Sequence, residues 1–337
     1  MWLKRKSNSA DLQAVKVESP VPGAVSIATD SSGTDLAKAE SLAGQRVGLV
    51  AGWGEFPLEL ARKCLQSGAR LYVLGIKGHA DARLADLADV FQWVGVAKLG
   101  CQIRFFKRHQ VGRVALAGKL FKHKLLLSGW GWPGLVPDWT ALRVMAPIFI
   151  SRTRDARDDT ILSSVVSAYQ RQGIQIVTLG DVAPGLLAPE GLLAGRSLSS
   201  SQWTDVCFGW QMARQMGALD IGQSVTVKDQ MVLGVEAIEG TDALIERTGK
   251  LSPRGFALVK VAKPDQDMRF DVPTVGPLTI QQLAQAGGKV LAIEAGMTIL
   301  LHRELTLATA KRLGVTVVSV TDQQVAAYRL RGKTVAA

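Results

Sequence analysis

Acidic residues gather at three places in this sequence of 337 residues. Asp155, Asp158 and Asp159 come just before an apolar helical stretch; Glu236, Glu239 and Asp242 bracket a glycine in VEAIEGTDAL; Asp271 stands in RFDVPTVG, near Lys260, Lys263 and Arg269. Each cluster taken alone reads first as helix capping or solvated surface, because acids favour helix N-termini. Three clusters at strand ends and loops together point to a hard cation. Mg2+ takes a few carboxylates and leaves positions for water and phosphate oxygens. A carboxylate beside basic residues, as at Asp271, also suits work on a phosphate. The turn Gly52-Trp53-Gly54 follows an apolar run and precedes a helix, so backbone N–H groups there can face a phosphate. The third glycine of a G-x-G-x-x-G pattern would fall on Pro57, and no acid ends the next strand, where Gly75 and Ile76 stand. That disfavours a dinucleotide cofactor.

Other chemistries lack their residues. His79, His109, His123 and His302 form no H-x-x-x-H or H-E-x-x-H spacing, and no G-x-S-x-G elbow occurs. Cys64, Cys101 and Cys207 are too scattered for a zinc site or disulfide framework and read as buried or inert thiols. The formal net charge of +11 calls for an anionic partner: nucleic acid, a membrane surface or a phosphorylated small molecule. Its densest source is the run from Lys98 to Lys124, which holds eight Lys or Arg and no acid, interleaved with Phe105, Phe106 and Phe121. No helix-turn-helix, zinc-finger or RNP-type pattern accompanies it, so nucleic acid is not expected.

The elements that position these residues alternate β and α from Arg46 onward. RVGLVAG, RLYVLG, RVALAG and IQIVTLG read as strands; Pro57 opens a helix through Gln66 closed by Gly68; further helices are expected around 82–90, 98–109 and 158–171. Strands separated by helices imply an α/β fold with a parallel sheet covered on both faces. A second α/β unit follows, with a helix over Ser201 to Met216, a strand pair turning at Lys228-Asp229-Gln230, the strand GFALVKVA, a helix capped by Thr279 and Gln282 and closed by Gly287, and finally VTVVSV. The expected division is a disordered tail over 1–45, an N-terminal domain over 46–181, a linker over 182–200, a C-terminal catalytic domain over 201–325 and a tail over 326–337. No window offers ~18 consecutive apolar residues, and no apolar segment follows the basic start MWLKRKSNSADLQ, so a cytoplasmic protein is expected. Trp130, Trp132 and Trp139 lie in an apolar, irregular stretch that suits core packing or an acyl-chain contact.

The blocks VGLVAGWGEFPLELA, RVALAGKL, RDARDDTIL, LDIGQSVTV, VLGVEAIEGTDALI, VKVAKPDQDMRFDVPTVGPLTI and VLAIEAGMTILL, in this order, resemble the UDP-2,3-diacylglucosamine pyrophosphatases of the LpxI type. The resemblance spans about residues 46 to 320. It implies an N-terminal Rossmann-like parallel-sheet domain and a C-terminal α/β domain with the active site between them, and hydrolysis of UDP-2,3-diacylglucosamine to UMP and 2,3-diacylglucosamine 1-phosphate (lipid X) in lipid A biosynthesis, by Mg2+-assisted attack of water on the α-phosphorus. It implies Asp271 as the catalytic carboxylate, acting as a metal ligand or in activating water; with the clusters above, Asp271, Asp242 and Glu236 are the candidate Mg2+ ligands. The matching blocks supply Gly52, Gly54, Gly118, Lys119, Gln223, Glu239, Gly240, Thr241, Lys263, Pro273, Thr274 and Glu294 as candidate substrate contacts. Trp53, Lys119 and Leu120 depart from the family's usual GGG and Asn-Val. The implied partner is a lipid-linked UDP-sugar, reached through a peripheral contact with the anionic inner membrane, and a homodimer is open to it. The fold alone would also allow a nucleotide-cofactor-dependent oxidoreductase, and the family a non-catalytic binder of a lipid nucleotide.

Overall fold

The computed structural model describes residues 42–119, 136–150 and 158–335, apart from 253, 265, 270 and 271. The first half runs β1 (Arg46–Ala51), α1 (Phe56–Gln66), β2 (Arg70–Ile76), α2 (Leu84–Leu87), β3 (Val90–Val94), α3 (Leu99–Arg108), β4 (Arg113–Ala117), α4 (Trp139–Ile150), α5 (Asp158–Gln170), β5 (Gln175–Ile176) and α6 (Leu179–Val182). The apolar runs of β1 and β2 are buried along nearly their whole length, as strands covered on both faces must be. They belong to a five-stranded sheet of order β3-β2-β1-β4-β5, parallel throughout. Its order reverses between β1 and β4. In open α/β sheets the crevice beyond the carboxyl ends at such a reversal is where ligands bind.

Local chemistry explains where this half departs from the sequence reading. The helix expected over 82–90 is confined to Leu84–Leu87, because Asp89 accepts a hydrogen bond from the Leu71 N–H (2.7 Å) and turns the chain into edge strand β3. In IQIVTLG only two residues pair, since the Thr178 N–H and hydroxyl both bond Asp181 (2.8 Å each) and cap α6. Cys64 lies on the buried face of α1, where burial pushes its thiol up to about 11.

The second half continues through β6 (Gly191–Ala194), α7 (Ser200–Ala218), β7 (Ser224–Lys228), β8 (Met231–Val235), α8 (Thr241–Leu251), β9 (Ala257–Lys260), β10 (Thr274–Val275), α9 (Pro277–Gln285), β11 (Val290–Glu294), β12 (Ile299–Leu300), α10 (Arg303–Leu313), β13 (Thr316–Val320) and α11 (Asp322–Val335). Six strands form a mixed sheet of order β6-β13-β11-β9-β7-β8, with β9, β11 and β13 parallel. The β7–β8 hairpin turns through Asp229 and Gln230, both at positive φ (51° and 57°). The buried Asp205 carboxylate accepts both turn N–H groups, at 3.0 and 2.7 Å, which holds that turn in place.

Three segments differ from expectation here. Residues 182–200, read as a linker, contain a 3-10 turn (Pro184–Leu186) and strand β6, which pairs antiparallel with β13. Residues 326–337, read as a tail, continue α11 as far as Val335; Asp322 accepts from the Trp210 indole (2.6 Å), Val325 is buried, and Tyr328 stacks on Trp203. Thr279 does not cap α9, which begins two residues earlier at Pro277; its hydroxyl instead accepts from the Gly276 N–H (3.4 Å).

The halves meet through segments that follow strand ends. β10 and β12 form a two-stranded parallel ladder, and Ile299 packs in the same core cluster as Leu49, Leu58, Ala117 and Leu186. On the neighbouring surface the buried Glu59 of α1 accepts the His302 N–H with both carboxylate oxygens (3.0 and 2.9 Å), satisfying one of the free N–H groups at the start of α10. No helix among the described residues is long and apolar enough to cross a membrane.

Candidate functional site

At the reversal point of the first sheet, two loops lie backbone to backbone. The Trp53 N–H bonds the Lys119 carbonyl and the Lys119 N–H returns to Trp53, each at 2.9 Å, while the Gly52 N–H bonds Ala117 at 2.7 Å. This approach needs glycine on both sides. A Cβ on Gly52 would stand 2.8 Å from the Lys119 carbonyl oxygen; one on Gly118, already at φ 92°, would stand 2.8 Å from the Gly52 carbonyl carbon and from Pro57. Gly52, Gly54, Gly118 and Lys119 are thus brought together at the carboxyl ends of β1 and β4, with α1 starting just behind. Gly118→Ala should therefore lower stability by about 1–3 kcal/mol. An unchanged denaturant midpoint would mean that these loops part freely.

At the carboxyl edge of the second sheet, β9 ends in a buried lysine. The Lys260 ammonium donates to Thr241 Oγ1 (2.8 Å) and Ser224 Oγ (3.4 Å), and lies 3.9 Å from Glu236 Oε2. Glu236 Oε1 accepts from the Thr241 hydroxyl at 2.7 Å. Burial pushes the Glu236 carboxyl upward, but the Lys260 charge and hydrogen bonds from Ser224, Thr241 and the Gln223 backbone outweigh it and hold it below the usual carboxylate range. Two acceptors at this edge, Gln223 Oε1 and Glu236 Oε2, are buried with no hydrogen-bond partner among the described residues. Buried acceptors in that state are good anchors for a ligand's donors.

Next to this edge a second charged network holds its geometry. Glu294, at the end of β11, accepts from Arg214 (2.6 Å) with one oxygen and from the Ala262 N–H (2.7 Å) with the other. Arg214 also donates to Asp322 (2.8 Å) and to the Ala262 carbonyl (2.9 Å). Glu294 has both oxygens engaged inside the protein, so its place is to hold the chain at Ala262 and Lys263.

The remaining candidates are spread around these two edges. Gly240, at φ 83°, and Thr241 open α8, and Asp242 in its first turn is exposed, with no hydrogen bond or ion pair among the described residues. Glu239 is tied to Arg247 (3.0 Å). The basic residues near Asp271 in sequence each face another acid: Lys260 Glu236, Lys263 Asp220, and Arg269 Asp267. Pro273 accepts from the Ile299 N–H (2.7 Å), and Thr274 lies in β10. Asp271 lies outside the described residues, as do Asp155, Trp130 and Trp132; Asp158 and Asp159 open α5.

Glu236 does not fit its expected place as an Mg2+ ligand, because the Lys260 ammonium already neutralises it and would repel a second cation. Among the described residues no three His, Cys, Asp or Glu side chains converge on one point. The sequence places Lys260 only among the basic residues near Asp271; its burial beside Glu236 has no local signal, because a lysine closing the otherwise apolar strand of GFALVK reads equally as a strand terminus reaching solvent.

Comparison with known proteins adds the family. Residues 46–186 match the LpxI N-terminal domain and residues 189–318 the LpxI C-terminal domain. The UDP-2,3-diacylglucosamine pyrophosphatase LpxI of Caulobacter vibrioides is 31% identical over 290 residues, covering 83% of this chain and 99% of that protein. A solved structure, the precorrin-6A reductase CobK, aligns over 82% of this chain and 88% of its own at 14% identity, with a TM-score of only 0.28. With both domain families matched in order and nearly the whole of a relative aligned, the chain belongs to the LpxI family.

Proposed function

We propose that the protein hydrolyses the diphosphate bond of UDP-2,3-diacylglucosamine, releasing UMP and 2,3-diacylglucosamine 1-phosphate for lipid A biosynthesis. The observation that carries this reading is the alignment with the Caulobacter pyrophosphatase along 99% of that protein's length. The geometry agrees with it. The sheet reversal, where Gly54 faces open space ahead of α1, is the place at which open α/β sheets take ligands, and the buried Gln223 amide oxygen at the other edge suits a sugar or base donor. Hydrolysis of a diphosphate depends on meeting developing negative charge in the transition state, which fixed cations and N–H groups do without covalent help. Asp271 then supplies the carboxylate that works at the α-phosphorus, where water attacks.

Mg2+, when bound, neutralises charge on the diphosphate. It is commonly held by one or two carboxylates together with substrate phosphates rather than by an all-protein cage. Of the carboxylates near the site, Asp242 is the described one free to take part. Chelation by EDTA is expected to stop UMP release from UDP-2,3-diacylglucosamine, and Mg2+ or Mn2+ to restore it; activity returning with Zn2+ alone would contradict oxygen ligation. The protein works on the cytoplasmic side of the inner membrane, where a peripheral contact with anionic lipid brings it to a two-chain substrate.

A further inference from the structure

The helices α3, α4 and α5 enclose a groove of about 670 Å3 on the N-terminal domain, opposite in sequence and face to the core cluster that receives Ile299. Its walls carry Arg104, Lys107 and Arg108 from α3, Arg143 from α4, and Arg171 just after α5. All five are exposed, and none has a carboxylate partner among the described residues. The floor is apolar, made by Ile103, Val144 and Ala168. Beside the cations, Val136 (51% exposed), Trp139 (71%) and Leu142 (46%) recur at every third position where α4 begins. The Arg143 guanidinium lies 5.9 Å from the Trp139 ring centre, so charge and aromatic surface are presented together.

The groove is held in shape from its upper end. Asp138 accepts from the Cys101 N–H (3.1 Å) with one oxygen and from the Ala141 N–H (2.9 Å) with the other, joining the first turns of α3 and α4. Gly100 lets them close: a Cβ there would meet Thr140 Oγ1 at 2.6 Å. Because α3 follows directly from β3, this end of the groove lies at the carboxyl edge of the sheet that also carries Gly52 and Gly118.

We propose that this groove and the exposed start of α4 dock the protein on anionic phospholipid headgroups at a bilayer surface. A helix start with Trp, Leu and Val outward beside several Lys and Arg is the composition that settles at the headgroup boundary, the cations meeting phosphates and the apolar side chains entering the acyl edge. A nucleic acid would use the same cations, but a phosphodiester backbone offers nothing to exposed Val136 and Leu142. The proposal deepens the membrane contact in the reading above and rests on it, yet its test is separate from turnover.

The test is sedimentation of the full chain with phosphatidylcholine vesicles, with and without phosphatidylglycerol. Binding should require phosphatidylglycerol. Each basic residue near an anionic surface is worth about a five-fold change, so the Arg104→Glu, Lys107→Glu, Arg143→Glu triple variant should bind at least about 100-fold more weakly. Trp139→Ser should weaken binding while keeping its dependence on phosphatidylglycerol. Both variants alter exposed side chains, and an unchanged unfolding midpoint checks that they fold. Three results overturn the proposal: vesicle binding by the triple variant equal to wild type, binding to phosphatidylcholine alone, or release of the protein from vesicles by inorganic phosphate or by an equimolar single-stranded oligonucleotide. UMP release from detergent-dispersed substrate, measured in parallel, separates failure of this docking surface from failure of the hydrolase reading.

Discussion

Replacing Asp271 by alanine is expected to lower the rate of UMP release on the order of 100-fold or more, the range typical of removing a group that moves a proton or fixes a reacting water. Folding should be unaffected. The chain immediately after Asp271 has ties of its own: Pro273 accepts from Ile299, the Thr274 hydroxyl donates to the Val272 carbonyl at 3.0 Å, and Thr274 and Val275 pair with β12. Initial rates with UDP-2,3-diacylglucosamine, taken beside the unfolding midpoint, check both parts. A variant within a few-fold of wild type would remove Asp271 from the site; one that loses activity and melts early would give it a structural place instead.

Arg214→Ala is expected to lower the free energy of unfolding by about 3 kcal/mol, because it strands the buried Glu294 carboxylate without its cation. The same change frees Asp322, whose other oxygen holds the Trp210 indole, so the start of α11 should loosen too. The Ala262 N–H would still bond Glu294, which keeps the loss below that of a wholly unpaired buried charge. Urea titration measures it, and the paired variant Arg214→Met with Glu294→Gln should recover a good part of the loss, since the stranded charge is then gone. A single-variant loss under about 1 kcal/mol, or no recovery in the pair, would mean that this network contributes little.

What the sequence made legible follows from how strongly each signal is local. The buried strands of the first sheet, the turn at Gly52-Trp53-Gly54 and the helix opened by Pro57 stand out because apolar runs and glycine or proline punctuation carry them. β3 does not, because VFQWV is an edge strand with Gln92 and Trp93 exposed, so it lacks a continuous apolar run. β6 and α11 are fixed by distant partners, β13 for the first and Trp210, Trp203 and Ser200 for the second, and neither carries a period that would reveal it. At the candidate site, the glycines at 52 and 118 lie far apart in sequence, and their meeting depends on β1 and β4 being neighbours. Glu236 looked like a metal ligand because its neighbours in sequence are acidic. In the fold its neighbour is Lys260, delivered by a strand 24 residues further on, and that reverses its chemistry.

The most direct test is where the oxygen of water goes. With purified protein, UDP-2,3-diacylglucosamine, Mg2+ and water enriched in oxygen-18, attack at the α-phosphorus places the heavy oxygen in UMP and leaves 2,3-diacylglucosamine 1-phosphate unlabelled. Mass spectrometry of the two products reads this in one reaction. UMP carrying one heavy oxygen is the predicted result; label in the lipid phosphate would contradict attack at the α-phosphorus and place it at the β-phosphorus, and no UMP at all would contradict the hydrolase reading itself.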